Sequence, residues 1–258
     1  MKTLAGQTAL VTGAGQGIGL ATGVALAQAG ANVAFNYLEQ PGEAAAAVET
    51  VSKAGGRALL EEADVADQRA VERMVDEVVA ELGGLDIAVA NAAFSDRGPF
   101  HELDMAGFRH TIDVTMWGAL YVLRAAARQM IRQGRGGSIV VIGSPHAYIA
   151  SPNSMPYNMA KAAVDQMART AAIELAEHRI RVNILTPGWI DTPGERKFAS
   201  DEELRAAGQR LPWKRLGTAD EIARGVVFLC DPKSDYITGS SLKIDGGVTL
   251  PWWALPNR

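Results

Sequence analysis

The sequence predicts an α/β fold: a doubly wound parallel sheet of about seven strands, forming a single domain over residues 1–258. Three observations carry this expectation. Short apolar runs alternate with helical patterns along the chain, the rhythm of successive βαβ units. A glycine-rich turn follows the first apolar run and opens directly into a helical pattern. No Pro/Ser-rich linker, low-complexity tract or internal repeat divides the chain.

The elements can be justified in order. Strands are expected at residues 8–11, 32–36, 58–61, 87–90, 138–142, 181–185 and 241–244, each a short run too brief for a helix. Gly30 closes a helical pattern over 20–30, as a C-terminal glycine does. Further helical patterns cover 42–53, 68–82, 108–133 and 156–176. The charged, mixed segment 194–212 has no evident place in the sheet and reads either as a surface loop with a helix or as a substrate lid.

Composition narrows the function classes. The chain carries 25 basic and 29 acidic side chains, a net charge of −4, and no polybasic or basic–aromatic patch. Nucleic acid is therefore not an expected partner. Cys230 is the only cysteine, inside the apolar run Val226-Val227-Phe228-Leu229-Cys230, so an intrachain disulfide is impossible and a buried thiol is expected. No signal peptide precedes the first strand, and each apolar stretch is too short to span a bilayer. A cytoplasmic protein without a metal site is expected.

Two motifs carry chemistry. The first is Thr12-Gly13-Ala14-Gly15-Gln16-Gly17-Ile18-Gly19, between the first strand and a helix. Glycines permit a tight turn and close backbone approach, and the helix N-terminus offers free N–H groups to a pyrophosphate. The second is Ser144, Tyr157 and Lys161, with the last two four residues apart and so on one helix face. A free tyrosine has a pKa of about 10, and a nearby ammonium is expected to lower it toward the working range. Ser144 emerges at a strand end, where its hydroxyl can hold a substrate oxygen. Tyrosine as acid/base, lysine as tuner and serine as anchor suit carbonyl–alcohol chemistry.

Together these motifs resemble the short-chain dehydrogenase/reductase family over essentially the whole chain. The family's T-G-x-x-x-G-x-G corresponds to Thr12, Gly13, Gly17 and Gly19, and its N-A-G to Asn91-Ala92-Ala93, with alanine in place of the glycine. Its acidic residue beside adenine resembles Asp64, followed by Val65. The P-G-x-x-x-T stretch, which meets the nicotinamide carboxamide in the family, is Pro187-Gly188-Trp189-Ile190-Asp191-Thr192. The C-terminal motifs are Tyr236-Ile237-Thr238-Gly239 and Ile244-Asp245-Gly246-Gly247. The resemblance implies a Rossmann-like fold, an NAD(P) cofactor and a homotetramer. It also implies cofactor contacts from Gly13, Gln16, Gly17, Ile18, Gly19, Tyr37, Asp64, Val65, Asn91, Tyr157, Lys161, Pro187, Ile190 and Thr192.

One position departs from the family pattern. Val114-Thr115-Met116-Trp117-Gly118 matches the segment that normally holds a catalytic asparagine, so Thr115 stands in its place. The expectation is that its hydroxyl can bind the water that links the lysine to solvent.

The stretch Phe35-Asn36-Tyr37-Leu38-Glu39 has no cation to neutralise a 2′-phosphate, which favours NAD and leaves NADP open. His146, two residues after Ser144, resembles the S-x-H of bacterial glucose 1-dehydrogenases; it can face the substrate or bond to nearby backbone. Asn153, Trp189 and Asp191 would add hydrogen-bonding and stacking groups for a sugar. Trp252 and Trp253 form an apolar tail suited to packing on a neighbouring subunit. The leading expectation is oxidation of a cyclic aldose at C1 to a lactone. A 3-oxoacyl thioester or other ketone reductase, and a non-catalytic dinucleotide-binding sensor, are the alternatives.

Overall fold

Why these runs form a parallel sheet is visible in their burial: β1 (Thr8–Val11), β4 (Ile87–Ala90) and the interior of β2 (Asn32–Tyr37) are covered on both faces, as crossover helices require. The computed structural model describes residues 2–252 apart from 40 and 54. After β1 come α1 (Gly17–Gln28), then β2, α2 (Ala44–Lys53), β3 (Ala58–Glu62) and α3 (Gln68–Leu82). After β4 come α4 (Met105–Ile112), α5 (Gly118–Gln133), β5 (Gly137–Ile142), α6 (Met155–Glu174) and β6 (Ile180–Pro187). The last elements are β7 (Ile190–Asp191), α7 (Asp201–Gln209), β8 (Gly217–Thr218), α8 (Ala219–Cys230) and β9 (Ser241–Ile244).

Seven parallel strands form one sheet in the order β3-β2-β1-β4-β5-β6-β9, while β7 and β8 pair separately. The order reverses direction between β1 and β4, so a crevice opens there beyond the carboxyl ends of the strands. One apolar layer joins the sheet to α3, α5 and α6 through residues such as Val78, Val122, Met130 and Val164. The other joins it to α1 and α8 through Leu26, Phe35, Ile222 and Val226. Asp67 caps α3 by accepting from Arg69 N–H at 2.8 Å, and Gly83 ends it in the left-handed conformation.

Sequence periodicity puts one long helix over 108–133, but the chain forms α4, a π-helical turn at Asp113–Trp117 and then α5. The turn has a local cause. Thr115 is tied by its hydroxyl to the backbone of Phe94, and Gly118 comes so close to the segment after β3 that a Cβ there would lie 2.8 Å from Val65. Such turns commonly mark functional sites. Segment 194–212 contains a 3₁₀ turn at Glu195–Lys197 and α7, which Ser200 and Glu203 start with a reciprocal capping box.

Glu61 of β3 is buried, and its carboxyl is pushed up from 4.5 to about 7 by that burial, by a hydrogen bond with Glu77 and by the charges of Glu77 and Glu81. The folded state therefore holds this proton more tightly than the unfolded chain does. Its contribution to stability is complete below the ordinary carboxylate range and is lost as pH rises through about 7. Chemical denaturation across this range should show wild-type stability falling, and Glu61→Gln should flatten that fall. An unchanged slope in the variant would remove Glu61 as its source.

Candidate active site

The turn after β1 is held from both sides by side chains. Thr12 Oγ1 donates to Val89 O at 3.3 Å and accepts from Asn91 N–H at 3.0 Å and Ala92 N–H at 3.2 Å. Asn91 Nδ2 donates to Thr12 O at 2.8 Å and Gly13 O at 3.1 Å. From the other flank, Asn36 Oδ1 accepts from Gly13 N–H at 3.2 Å, while its Nδ2 donates to Glu61 O and Ala63 O. Asn36 belongs to no recognised motif; its only signal in the sequence is an amide inside an apolar strand.

These bonds set a cradle that fits a dinucleotide. Gly13 has φ +60°, and a Cβ on it would lie 2.8 Å from Ala92 Cα; a Cβ on Gly19 would strike Gly13 O. Gln16 gives α1 no side-chain cap, so the first-turn N–H groups of Gly17, Ile18 and Gly19 are left without a capping partner from it. Thr192 lies against the same turn, 3.4 Å from where a Gly17 Cβ would be. The segment after β6, with Pro187 and buried Ile190, is thereby brought to the glycine loop. Tyr37 ends β2 half-buried, and burial together with Glu62, 3.5 Å from its hydroxyl, raises its pKa. Asp64 Oδ1 accepts from Ala66 N–H at 2.9 Å beside buried Val65.

Ser144 leaves β5 in extended conformation; its Oγ accepts from His146 N–H at 3.2 Å and is hydrogen-bonded to the Tyr157 phenol. Lys161, on the same face of α6 as Tyr157, is buried and donates from Nζ to Ile142 O at 2.7 Å. Its ammonium lies 5.5 Å from the Tyr157 ring centroid. The expected lowering of the phenol by the lysine is corrected here. Burial pushes Tyr157 up to about 12, against smaller lowering effects of the Ser144 hydrogen bond and Arg97, and it pushes Lys161 down to about 8. Removing both groups from water disfavours both charged forms.

The Thr115 hydroxyl donates to Phe94 O at 2.7 Å and accepts from Phe94 N–H at 2.9 Å, so its one proton is engaged with backbone. Asn153 is exposed in a left-handed turn (φ +59°), and its carbonyl accepts from Gly98 N–H at 2.9 Å. Asp191 pairs with Arg196 at 2.9 Å. Trp189 donates from Nε1 to Glu195 at 3.1 Å. Glu195 lies 3.9 Å from Arg97, whose guanidinium stacks 3.6 Å above the Phe198 ring. Arg97, Glu195 and Phe198 were invisible to sequence reasoning, because they lie in loops that meet only in the folded chain. His146 stands edge-on to Tyr157, with ring centroids 5.3 Å apart.

Comparison with known proteins places the chain in a family. A family model described as Enoyl-(Acyl carrier protein) reductase matches residues 13–249. The chain is 37% identical to an L-rhamnose 1-dehydrogenase (NAD(P)(+)) of a Sphingomonas species, covering 96% of this chain and 98% of that protein. It is 36% identical to a glucose 1-dehydrogenase of Gluconobacter oxydans, covering 95% and 93%. The crystal structure of a short-chain type dehydrogenase/reductase from Mycobacterium marinum superposes with a TM-score of 0.90 at 34% identity, covering 96% and 97%. The chain belongs to the short-chain dehydrogenase/reductase family and is an NAD(P)-dependent oxidoreductase.

Thr115→Val takes the hydroxyl partner from both the part-buried N–H and C=O of Phe94. The expected cost is about 1–3 kcal/mol of stability, read by denaturant unfolding. Unchanged stability in Thr115→Val would show that the Phe94 backbone finds other partners.

Proposed function

We propose that this dehydrogenase oxidises the C1 hydroxyl of a cyclic aldose to the lactone, with NAD preferred over NADP. The observation that carries the reading is His146: its ring stands against Tyr157, and its backbone bonds Ser144, so a second polar contact sits beside the reacting oxygen. The likeness to L-rhamnose and glucose 1-dehydrogenases supports the same substrate class.

In this reading Ser144 Oγ holds the C1 oxygen and Tyr157 takes its proton. Lys161 holds the nicotinamide ribose and, as ammonium, stabilises the phenolate. Bound NAD(P) supplies the hydride acceptor. Gln16, Gly17, Ile18 and Gly19 hold the pyrophosphate; Asn91 keeps the glycine turn in shape. Asp64, Val65 and Tyr37 bound the adenosine end, and Pro187, Ile190 and Thr192 the nicotinamide end. Segment 194–212 acts as a lid, supported by the contacts that Glu195 and Phe198 make with Trp189 and Arg97. Trp189 offers a face to the sugar, and Asn153 shapes the loop opposite it.

A homotetramer is part of this proposal. Exposed apolar side chains on helix surfaces, among them Met105, Trp117, Ile173 and Phe228, supply surfaces for association. The apolar tail begins at Trp252, while Trp253 lies outside the described residues. A cytoplasmic location suits a chain with one buried free thiol and, among the described residues, no helix long and apolar enough to cross a membrane.

A proton-retaining phenol also suits carbonyl reduction, which keeps the 3-oxoacyl thioester reading as the second one. Aldoses and 3-oxoacyl thioesters assayed with both dinucleotides separate the two. Turnover of thioesters with none of any aldose would transfer the enzyme to the second reading.

Oxidation needs Tyr157 as phenolate beside Lys161 as ammonium. Below pH 8 the prevailing pair carries one more proton than this, because Lys161 titrates at about 8 and Tyr157 at about 12. The rate should therefore climb about tenfold per pH unit up to about 8 and then level, since above it the prevailing and reacting pairs hold the same number of protons. Lys161→Met should abolish the break, and Tyr157→Phe should lower turnover about 10²–10⁴-fold with dinucleotide affinity retained. Near-normal turnover in Tyr157→Phe would end the assignment.

Leu38 is exposed just past β2 with no cation beside it in sequence. Leu38→Arg should shift preference toward NADP by about 1.5–3 kcal/mol of charge-assisted bonding, measured as the ratio of kcat/KM for the two dinucleotides. A wild type that strongly prefers NADP would overturn the NAD reading.

A further inference from the structure

We propose that Asn158 is a positioning residue that holds His146 protonated at Nδ1, so that Nε2 accepts a hydrogen bond from a second hydroxyl of the substrate. The inference rests on His146 facing the substrate, as proposed above. It assigns a role to the residue directly after Tyr157 and specifies what the substrate must offer: a hydroxyl that donates, in addition to the one oxidised.

Asn158 Nδ2 donates to Ser151 O at 2.9 Å, and because a backbone carbonyl only accepts, the amide nitrogen must point that way. The amide oxygen then faces the imidazole, 2.7 Å from His146 Nδ1. An amide oxygen has no proton to give, so Nδ1 must carry one. In the neutral ring Nε2 is left with a lone pair, and it has no partner among the described residues.

The ring is held neutral by its surroundings. Burial lowers its pKa most, opposed by the Asn158 hydrogen bond; Arg97 and Lys161 lower it further and Glu195 raises it. The same ring has its backbone N–H on Ser144 Oγ and its edge against Tyr157. Two turns of chain are thus coupled. The helix that carries the phenol also sets the hydrogen-bonding polarity of the neighbouring contact. A substrate hydroxyl at Nε2 can donate there, whereas an ether oxygen or a carbonyl would meet a lone pair with a lone pair.

The test uses the full-length enzyme labelled with ¹⁵N-histidine, His146→Gln identifying the His146 signals among the four histidines. At pH 7 the wild type should show a neutral ring with a protonated Nδ1 and a bare Nε2. Asn158→Leu should give mixed tautomers and a KM for the sugar about fivefold higher, with kcat changed less. Asn158→Asp places a carboxylate against the same N–H and favours the imidazolium. Its KM should be raised at neutral pH and fall toward the wild-type value as alkali deprotonates the ring. A wild-type ring protonated at Nε2 would overturn the proposal. So would an Asn158→Leu enzyme with wild-type shifts and KM, or an Asn158→Asp enzyme whose defect is the same at every pH. The nitrogen shifts decide for or against the Asn158 lock even where no aldose is oxidised, so the two readings fail separately.

Discussion

The site depends on one constraint: the turn after β1 must hold a backbone shape that its own residues cannot fix. Glycines at positions 13, 17 and 19 permit the shape but do not select it, because glycine is the least restrained residue in the unfolded chain. Selection comes from Asn36 and Asn91, which bond the turn from the two strands flanking β1. Each spends a side-chain amide on backbone groups that would otherwise be buried without partners. Strand order and loop shape are therefore one fact: only the placement of β2 and β4 beside β1 puts both amides within reach.

A second dependence links the cleft to proton affinity. Tyr157 and Lys161 share a helix face, yet their proton affinities follow from how little water reaches them. Burial moves the two groups in opposite directions, the phenol up and the ammonium down, leaving both nearer to neutral at working pH. Lys161 stays oriented because Ile142 O, at the end of β5, holds its Nζ. Ser144 comes from the same strand end, so a single β-strand exit aligns two members of the site while α6 supplies the third.

Around this centre the loops hold one another. Thr115 pins the segment after β4 to the π-helical turn, and Asn153 holds Gly98 in that same segment. Arg97 then reaches across to Glu195 and Phe198 of segment 194–212, where Glu195 also takes the Trp189 indole. These contacts are partly exposed and individually weak. The order of these loops thereby rests on a few side chains from three separate stretches.

Much of the fold was legible in the sequence. The strands at Thr8–Val11, Ile87–Ala90 and Ser241–Ile244 fall at the bounds expected for them from the sequence, and the glycine loop lies where a strand meets a helical pattern. Spacing alone set Tyr157 and Lys161 on one face. Local signals of this kind survive because period and turn chemistry act within a few residues. The break in the helix over 108–133 was hidden, since the apolar pattern runs through it and the cause is a bond to Phe94 far from the π turn in sequence. The direction of the Tyr157 shift was hidden too: spacing gives proximity, whereas burial is a sum over the whole packed structure. Asp191 and Thr115 were read as free polar groups, but Arg196 and the Phe94 backbone claim them. The sequence by itself determined which groups exist and which local shapes they prefer; which of them keep a free lone pair or proton was decided only when the chain folded and distant partners filled the rest.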